Sequence, residues 1–160
     1  MSEIKFINKE GIELAIIRDL FREYAAELNE DLCFQSFETE VNDPLKKYVQ
    51  SGGCIMLALD NQEPAGCIAL MPLPEPGACE MKRLYVKPAY RKSGLGKELV
   101  TRLLSFAKEN GFKKMQLDTL QRLQPAIRLY EQFGFTHTSP YYSNPIAGVV
   151  FMEKLLPPDR

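Results

Sequence analysis

Tryptophan is absent from the 160 residues, histidine occurs once, at His137, and the four cysteines, Cys33, Cys54, Cys67 and Cys79, form no C-x-x-C pair. A lone histidine leaves a Ser–His or Cys–His nucleophilic pair a single candidate base, and the scattered cysteines give no zinc-ligand cluster. Chemistry without a metal or a covalent enzyme intermediate is expected. Charge of one sign is lacking too. The 20 basic side chains face 21 acidic ones for a net charge of −1, which leaves no broad electropositive surface for nucleic acid or an anionic membrane. No apolar run approaches the ~20 residues that span a bilayer. The start, Met1-Ser2-Glu3-Ile4-Lys5, lacks the basic and apolar regions of a signal peptide. The expectation is a cytoplasmic protein with buried, reduced thiols. With no repeats and no low-complexity segments, one domain over residues 1–160 is expected.

Periodicity supplies the elements. Ile4 to Asn8 reads as a short strand. Ile12, Ile16, Leu20, Tyr24 and Leu28, with Ile17 and Phe21 beside them, predict one amphipathic helix. Phe34 to Gln50, interrupted by Asn42-Asp43-Pro44, reads as a bent helix pair over the active site. Cys54 to Leu59 and Ala65 to Leu73 flank Asp60-Asn61-Gln62-Glu63-Pro64 as a hairpin. Leu95, Leu99, Leu103, Phe106 and Ala107 form the stripe of a second long helix that Asn110-Gly111 ends. Lys114 to Thr119 is a strand, Pro125 opens a helix that Gly134 closes, and 135–138 and 148–155 supply the last strands. Strands alternating with helices predict an α/β fold, a three-layer α/β/α sandwich around a central mixed sheet.

Between the apolar run Leu84-Tyr85-Val86 and the second long helix lies Arg91-Lys92-Ser93-Gly94-Leu95-Gly96-Lys97. Two glycines permit close backbone approach, the free N–H groups of a new helix favour an anion, and Arg91, Lys92 and Lys97 add positive charge. A nucleotide P-loop would need glycine at position 91 and a hydroxyl at 98, where Arg91 and Glu98 stand. A dinucleotide fingerprint would need glycine or alanine in place of Leu99. Arg91-x-x-Gly94-x-Gly96 instead resembles the pyrophosphate loop of the GNAT superfamily of acyl-CoA N-acyltransferases. Cys79 to Pro88 is similar to that family's central strand, and Ala126-Ile127-Arg128-Leu129-Tyr130-Glu131-Gln132-Phe133-Gly134-Phe135 to its second signature. The resemblance covers Ala58 to about Leu155, and the earlier residues in order of elements only.

The resemblance implies N-acetyl transfer from acetyl-CoA, as cosubstrate and without metal, to a primary amine of a small molecule or peptide, by direct attack in a ternary complex. The rival is an acyl-CoA-binding sensor without turnover. It also implies a bulged central strand splayed from its neighbour, with backbone groups of Leu84, Tyr85 and Val86 meeting the cofactor arm and the developing oxyanion. Arg91, Lys92, Ser93, Gly94, Leu95, Gly96 and Lys97 would hold pyrophosphate, and Ala126 would lie along the arm. A solvated basic turn is the plainer reading of Arg91 and Lys92. Family members also dimerise commonly, leaving a homodimer open.

A primary amine with a pKa near ~10.4 is almost wholly protonated at neutral pH, so acylation needs a base. Glu80 occupies the position of a glutamate that fills this role in several members, often through water; a solvated strand carboxylate is the alternative. Tyr130 matches a tyrosine that protonates the departing thiolate, although Ile127, Tyr130 and Phe133 share a helical face and core packing is the other reading. Leu123 stands where many members carry asparagine, so the pantetheine contact there is expected to be weaker or to come from Gln124 or backbone. Ser139 to Pro145 either lines the acceptor pocket or is an ordinary loop. Glu38, Glu40 and Asp43 read as a solvated helix face, with attraction of a cationic acceptor as the alternative.

Overall fold

The computed structural model describes residues 2–158. Strands β1 (Ser2–Phe6), β2 (Cys54–Asp60), β3 (Glu63–Pro72) and β4 (Ala78–Val86) pair antiparallel in succession. β5 (Lys114–Leu120) runs parallel to β4, then β7 (Val149–Leu155) and the two-residue β6 (Thr136–His137) complete the order β1-β2-β3-β4-β5-β7-β6. α1 (Ile12–Leu28) and α2 (Phe37–Asn42) share one apolar core with Ile55, Leu57 and Tyr85 of the sheet. α3 (Leu95–Glu109) and α4 (Gln124–Gln132) share the other with Met56, Ile68 and Cys79. Alternate strand residues enter opposite cores because the strand period is two, which gives the three layers.

The expected hairpin forms: Asn61 and Gln62 both have positive φ (48° and 68°), the conformation of a tight two-residue turn matching strand twist. α1 forms over the predicted span, but its buried stripe is Leu14, Ile17, Leu20 and Phe21; Ile12, expected inside, is 82% exposed. Ile12 lies at the helix start, where the chain is still leaving the sheet and nothing covers it. In α3 the buried set adds Val100 and Leu104, while Phe106 lies at the margin with its ring 5.8 Å from Phe6. The bent helix pair is a 3-10 turn (Cys33–Gln35), α2, and a π-helical turn (Leu45–Val49). Gly53 follows this segment where only glycine fits, since a Cβ would lie 1.8 Å from the Leu70 carbonyl oxygen.

Two irregularities of β4 create the site. Against β3 the register runs Cys67↔Tyr85 and Ala69↔Lys82, so β4 carries one extra residue. Arg83 takes it up with φ of 61°. A residue with a Cβ pays about 1–2 kcal/mol for that left-handed conformation, and a β-bulge sharpens the local twist. Against β5, β4 pairs only over Ala78↔Lys114, Cys79↔Met115 and Glu80↔Gln116. Beyond Glu80 the two strands part, leaving the β5-facing edge of Met81 to Val86 without a neighbouring strand.

Candidate active site

The parted strands open a cleft between α1 and α4. Leu84, Ala126 and Tyr130, expected from the sequence, line it, together with Lys82, Arg83, Asp118 and Asn144. Leu123 lines it as well, while the Gln124 side chain is exposed and donates to the Gln121 carbonyl at 2.5 Å. Tyr130 is buried with its ring 6.0 Å from Phe135, so core packing and a place on the cleft wall coexist. Burial, then the charges of Tyr24 and Asp118, raise its hydroxyl above the usual tyrosine value, keeping it protonated through neutral pH.

At the mouth, Lys92 (φ 67°) and Gly94 (φ 86°) turn the chain into α3. The first backbone bond into the helix is from Glu98 N–H to the Gly94 carbonyl, and no side chain caps the start. The amides of Leu95, Gly96 and Lys97 thus lack helical acceptors, and the helix dipole adds positive potential there. A Cβ at Gly96 would meet Leu129 Cδ2 at 3.6 Å and Val86 Cγ2 at 4.0 Å. Arg91 is engaged: its Nε donates to the Val86 carbonyl at 2.9 Å and its Nη2 reaches Glu27 of α1 at 2.5 Å. Ser93 Oγ donates to the Tyr90 carbonyl at 2.6 Å. Tyr85 is turned into the α1 core, its hydroxyl 3.3 Å from Glu23. The Arg91 and Ser93 side chains thus brace the turn into α3.

Glu80 is no solvated strand carboxylate. It is 2% exposed, accepts a hydrogen bond from the Tyr141 hydroxyl at 2.5 Å, and lies 3.5 Å from Lys82 Nζ. Burial, then the charge of Glu80, raise the Tyr141 hydroxyl well above its ordinary value. The next tyrosine, Tyr142, donates to Asp118 Oδ2, which Asn144 Nδ2 also meets at 2.7 Å. The segment following β6 therefore straps both walls: Tyr141 to β4 and Tyr142 with Asn144 to β5. Within that segment Asn144 lines the cleft, as does Ile146 just beyond it.

The solvated-face reading of Glu40 is corrected by its burial at 2% exposure. Its carboxylate receives Arg83 Nε at 2.8 Å and Arg83 Nη2 at 2.8 Å, with Lys47 Nζ at 2.7 Å. Burial pushes the Glu40 carboxyl up, but the Arg83 hydrogen bonds and charge, with Lys47, outweigh it and hold it at about 2. Arg83 also lies 5.3 Å from the Tyr24 and Phe37 rings. This pair pins the bulge that opens the cleft. Sequence reasoning missed it because Glu40 and Arg83 are 43 positions apart. Asp118 was missed as well; its signal was the polar alternation Gln116, Asp118 between Met115 and Leu117 of β5.

Thiols stand elsewhere. Cys54, Cys67 and Cys79 are buried in the sheet, and burial pushes Cys54 and Cys79 up to about 12. No cysteine lines the cleft among the described residues.

The model of the acetyltransferase (GNAT) family matches residues 15–135. An uncharacterised N-acetyltransferase of Schizosaccharomyces pombe is 46% identical over 134 residues, covering 83% of this chain and 82% of that one. A Streptococcus agalactiae acetyltransferase structure superposes with TM-score 0.81 at 25% identity, over 97% of this chain and 98% of its own. A Salmonella typhimurium structure solved with its cofactor acetyl-CoA gives TM-score 0.75 at 19% identity, over 100% of this chain and 96% of that one. The splayed mixed sheet, the two signatures in order and these matches converge, and the chain belongs to the acetyltransferase (GNAT) family.

Proposed function

We propose that the protein transfers an acetyl group from acetyl-CoA to a primary amine by direct attack, with both substrates in the cleft together. The observation that carries this reading is the parting of β4 and β5 immediately after Glu80–Gln116. It sets an unpaired strand edge between the free amides of α3 and the hydroxyl-bearing wall of α4. Acetyl-CoA supplies an activated acyl group, a role consistent with the Salmonella protein of the same fold solved with that molecule. The α3 amides bind its pyrophosphate, and the edge of β4 over Leu84 to Val86 meets its arm and the charge that develops on the acyl oxygen. As the new N–C bond forms and the C–S bond breaks, the amine proton passes to Glu80 by way of Tyr141, and Tyr130 protonates the leaving thiolate. A thiol-release screen with acetyl-CoA and pooled amines, amino acids, polyamines, aminoglycosides and peptides tests the reading. Release with at least one pool supports it; acetyl-CoA binding with no release from any pool identifies a sensor instead.

Two substitutions probe the parts separately. In Gly96→Val the branched side chain crowds Leu129 and Val86 and shields the α3 amides, so acetyl-CoA affinity should fall roughly tenfold or more, on the order of 1.4 kcal/mol. Calorimetry on a folded variant reads this, and unchanged affinity would remove the loop from the cofactor site. Tyr130→Phe keeps the ring against Phe135 and deletes the proton donor. It should lower kcat by about 10²-fold with acetyl-CoA affinity intact; wild-type turnover would leave Tyr130 a packing residue.

A further inference from the structure

Lys82 and Asp118 hold corresponding places on the cleft's two walls. Glu80 and Gln116 are the last aligned pair of the parallel strands, and Lys82 and Asp118 each lie two residues further on. A strand alternates faces, so both project from the same face of the sheet. Had the strands stayed together, they would be cross-strand neighbours and form an ion pair. The splay prevents it, and both line the cleft instead.

Each is left with an incomplete set of partners. The Lys82 side chain is 5% exposed, and its ammonium makes a long ion pair with Glu80 Oε1 at 3.5 Å and a long hydrogen bond to Gln35 Oε1 at 3.4 Å. Glu80 is already held by Tyr141 at 2.5 Å, and the guanidinium of Arg83 is satisfied by Glu40. Burial, then the Arg83 charge, lower Lys82 below the usual lysine value against the opposing charges of Glu80 and Asp118. Across the gap, Asp118 takes its hydrogen bonds from the neutral donors Tyr142 and Asn144, and no ion pair joins it to a basic side chain among the described residues. Lys82 and Asp118 thus present a cation and an anion to each other across an open gap, an arrangement that fits a ligand with both signs. Leu28, Leu32, Leu120 and Ile146 add an apolar part to the lining.

We propose that the acceptor is a zwitterion, an α-amino acid with an apolar side chain, whose carboxylate sits on Lys82 and whose amino group lies toward Asp118. The inference rests on the acetyltransferase reading above and narrows its acceptor. Polyamines would place further ammonium groups against Lys82, and an amide or simple amine would offer it no anion beside Glu80.

The test compares leucine, methionine and phenylalanine with their carboxamides and their decarboxylated amines in acetyl-CoA thiol release. The acids should be acetylated with kcat/KM at least about tenfold above their matched amides and amines. Lys82→Met should bring the acids down to the level of the amides while leaving acetyl-CoA affinity unchanged by calorimetry, and Lys82→Arg should restore much of the preference. If Lys82→Met does not fold, as read by its circular-dichroism melt, the comparison in the wild-type protein decides alone. Amides or amines used as well as acids would overturn the inference and leave the acetyltransferase reading intact. So would an acid preference that survives in Lys82→Met, or release with carboxylate-free pools only. If acetyl-CoA binds and no pool releases thiol, the transferase reading fails. Saturation-transfer NMR then decides the site: contact with leucine but not leucinamide, lost in Lys82→Met, supports it, and no such contact overturns it.

Discussion

Glu40→Ala is expected to lower the unfolding free energy by about 3–5 kcal/mol, because it strands the Arg83 guanidinium in the protein interior. Arg83 and Glu40 are 3% and 2% exposed, and their two hydrogen bonds are both 2.8 Å. Against a total stability of about 5–15 kcal/mol this is a large fraction. Denaturant titration measures it, and adding Arg83→Met should recover part of the loss by removing the orphaned charge. A cost below about 1 kcal/mol would mean that the pair is hydrated and does not hold the bulge. The pair also sets a pH dependence. The folded carboxyl titrates at about 2, below its ordinary 4.5, so its contribution is fully present above about 4.5 and is lost as pH falls toward 2. That contribution is on the order of 3 kcal/mol, and Glu40→Gln should flatten the stability profile within that window.

Glu80→Gln is expected to lower kcat by between about 10²- and 10⁴-fold and to abolish the acidic limb of the pH–rate profile, with acetyl-CoA affinity retained. The glutamine keeps the size of the side chain and an oxygen for the Tyr141 hydroxyl, but it cannot take up a proton. Glu80 is buried and touches Tyr141 and Lys82, and in the proposed relay Tyr141 carries the amine proton to it. Tyr141→Phe should therefore reproduce much of the loss while leaving Glu80 in place. A Glu80→Gln variant with full rate and an unchanged acidic limb would move the proton to another group.

The features legible in the sequence were those that depend on near neighbours. Leu95, Leu99 and Leu103 repeat at helical spacing and are buried in α3. The features that were not legible depend on register between distant segments. Ile12 fits the periodicity of α1 and is exposed because nothing packs over the helix start. Glu40 looks like a surface carboxylate until β4 bulges at Arg83 and brings a guanidinium to it. The opposition of Lys82 and Asp118 follows only from where the β4–β5 ladder stops. A one-residue bulge has no local sequence signature when the residue in the left-handed region is arginine rather than glycine.

Direct transfer between two substrates held in one cleft is the proposed mechanism, and the strand gap is the observation that supports it. The measurement that tests it most directly is an initial-rate matrix of thiol release over acetyl-CoA and the acceptor found by screening, with the acetylated product quantified alongside. A ternary complex predicts intersecting double-reciprocal lines and one acetylated amine per thiol released. Parallel lines, together with an acetyl group trapped on the protein before acceptor is added, would contradict it.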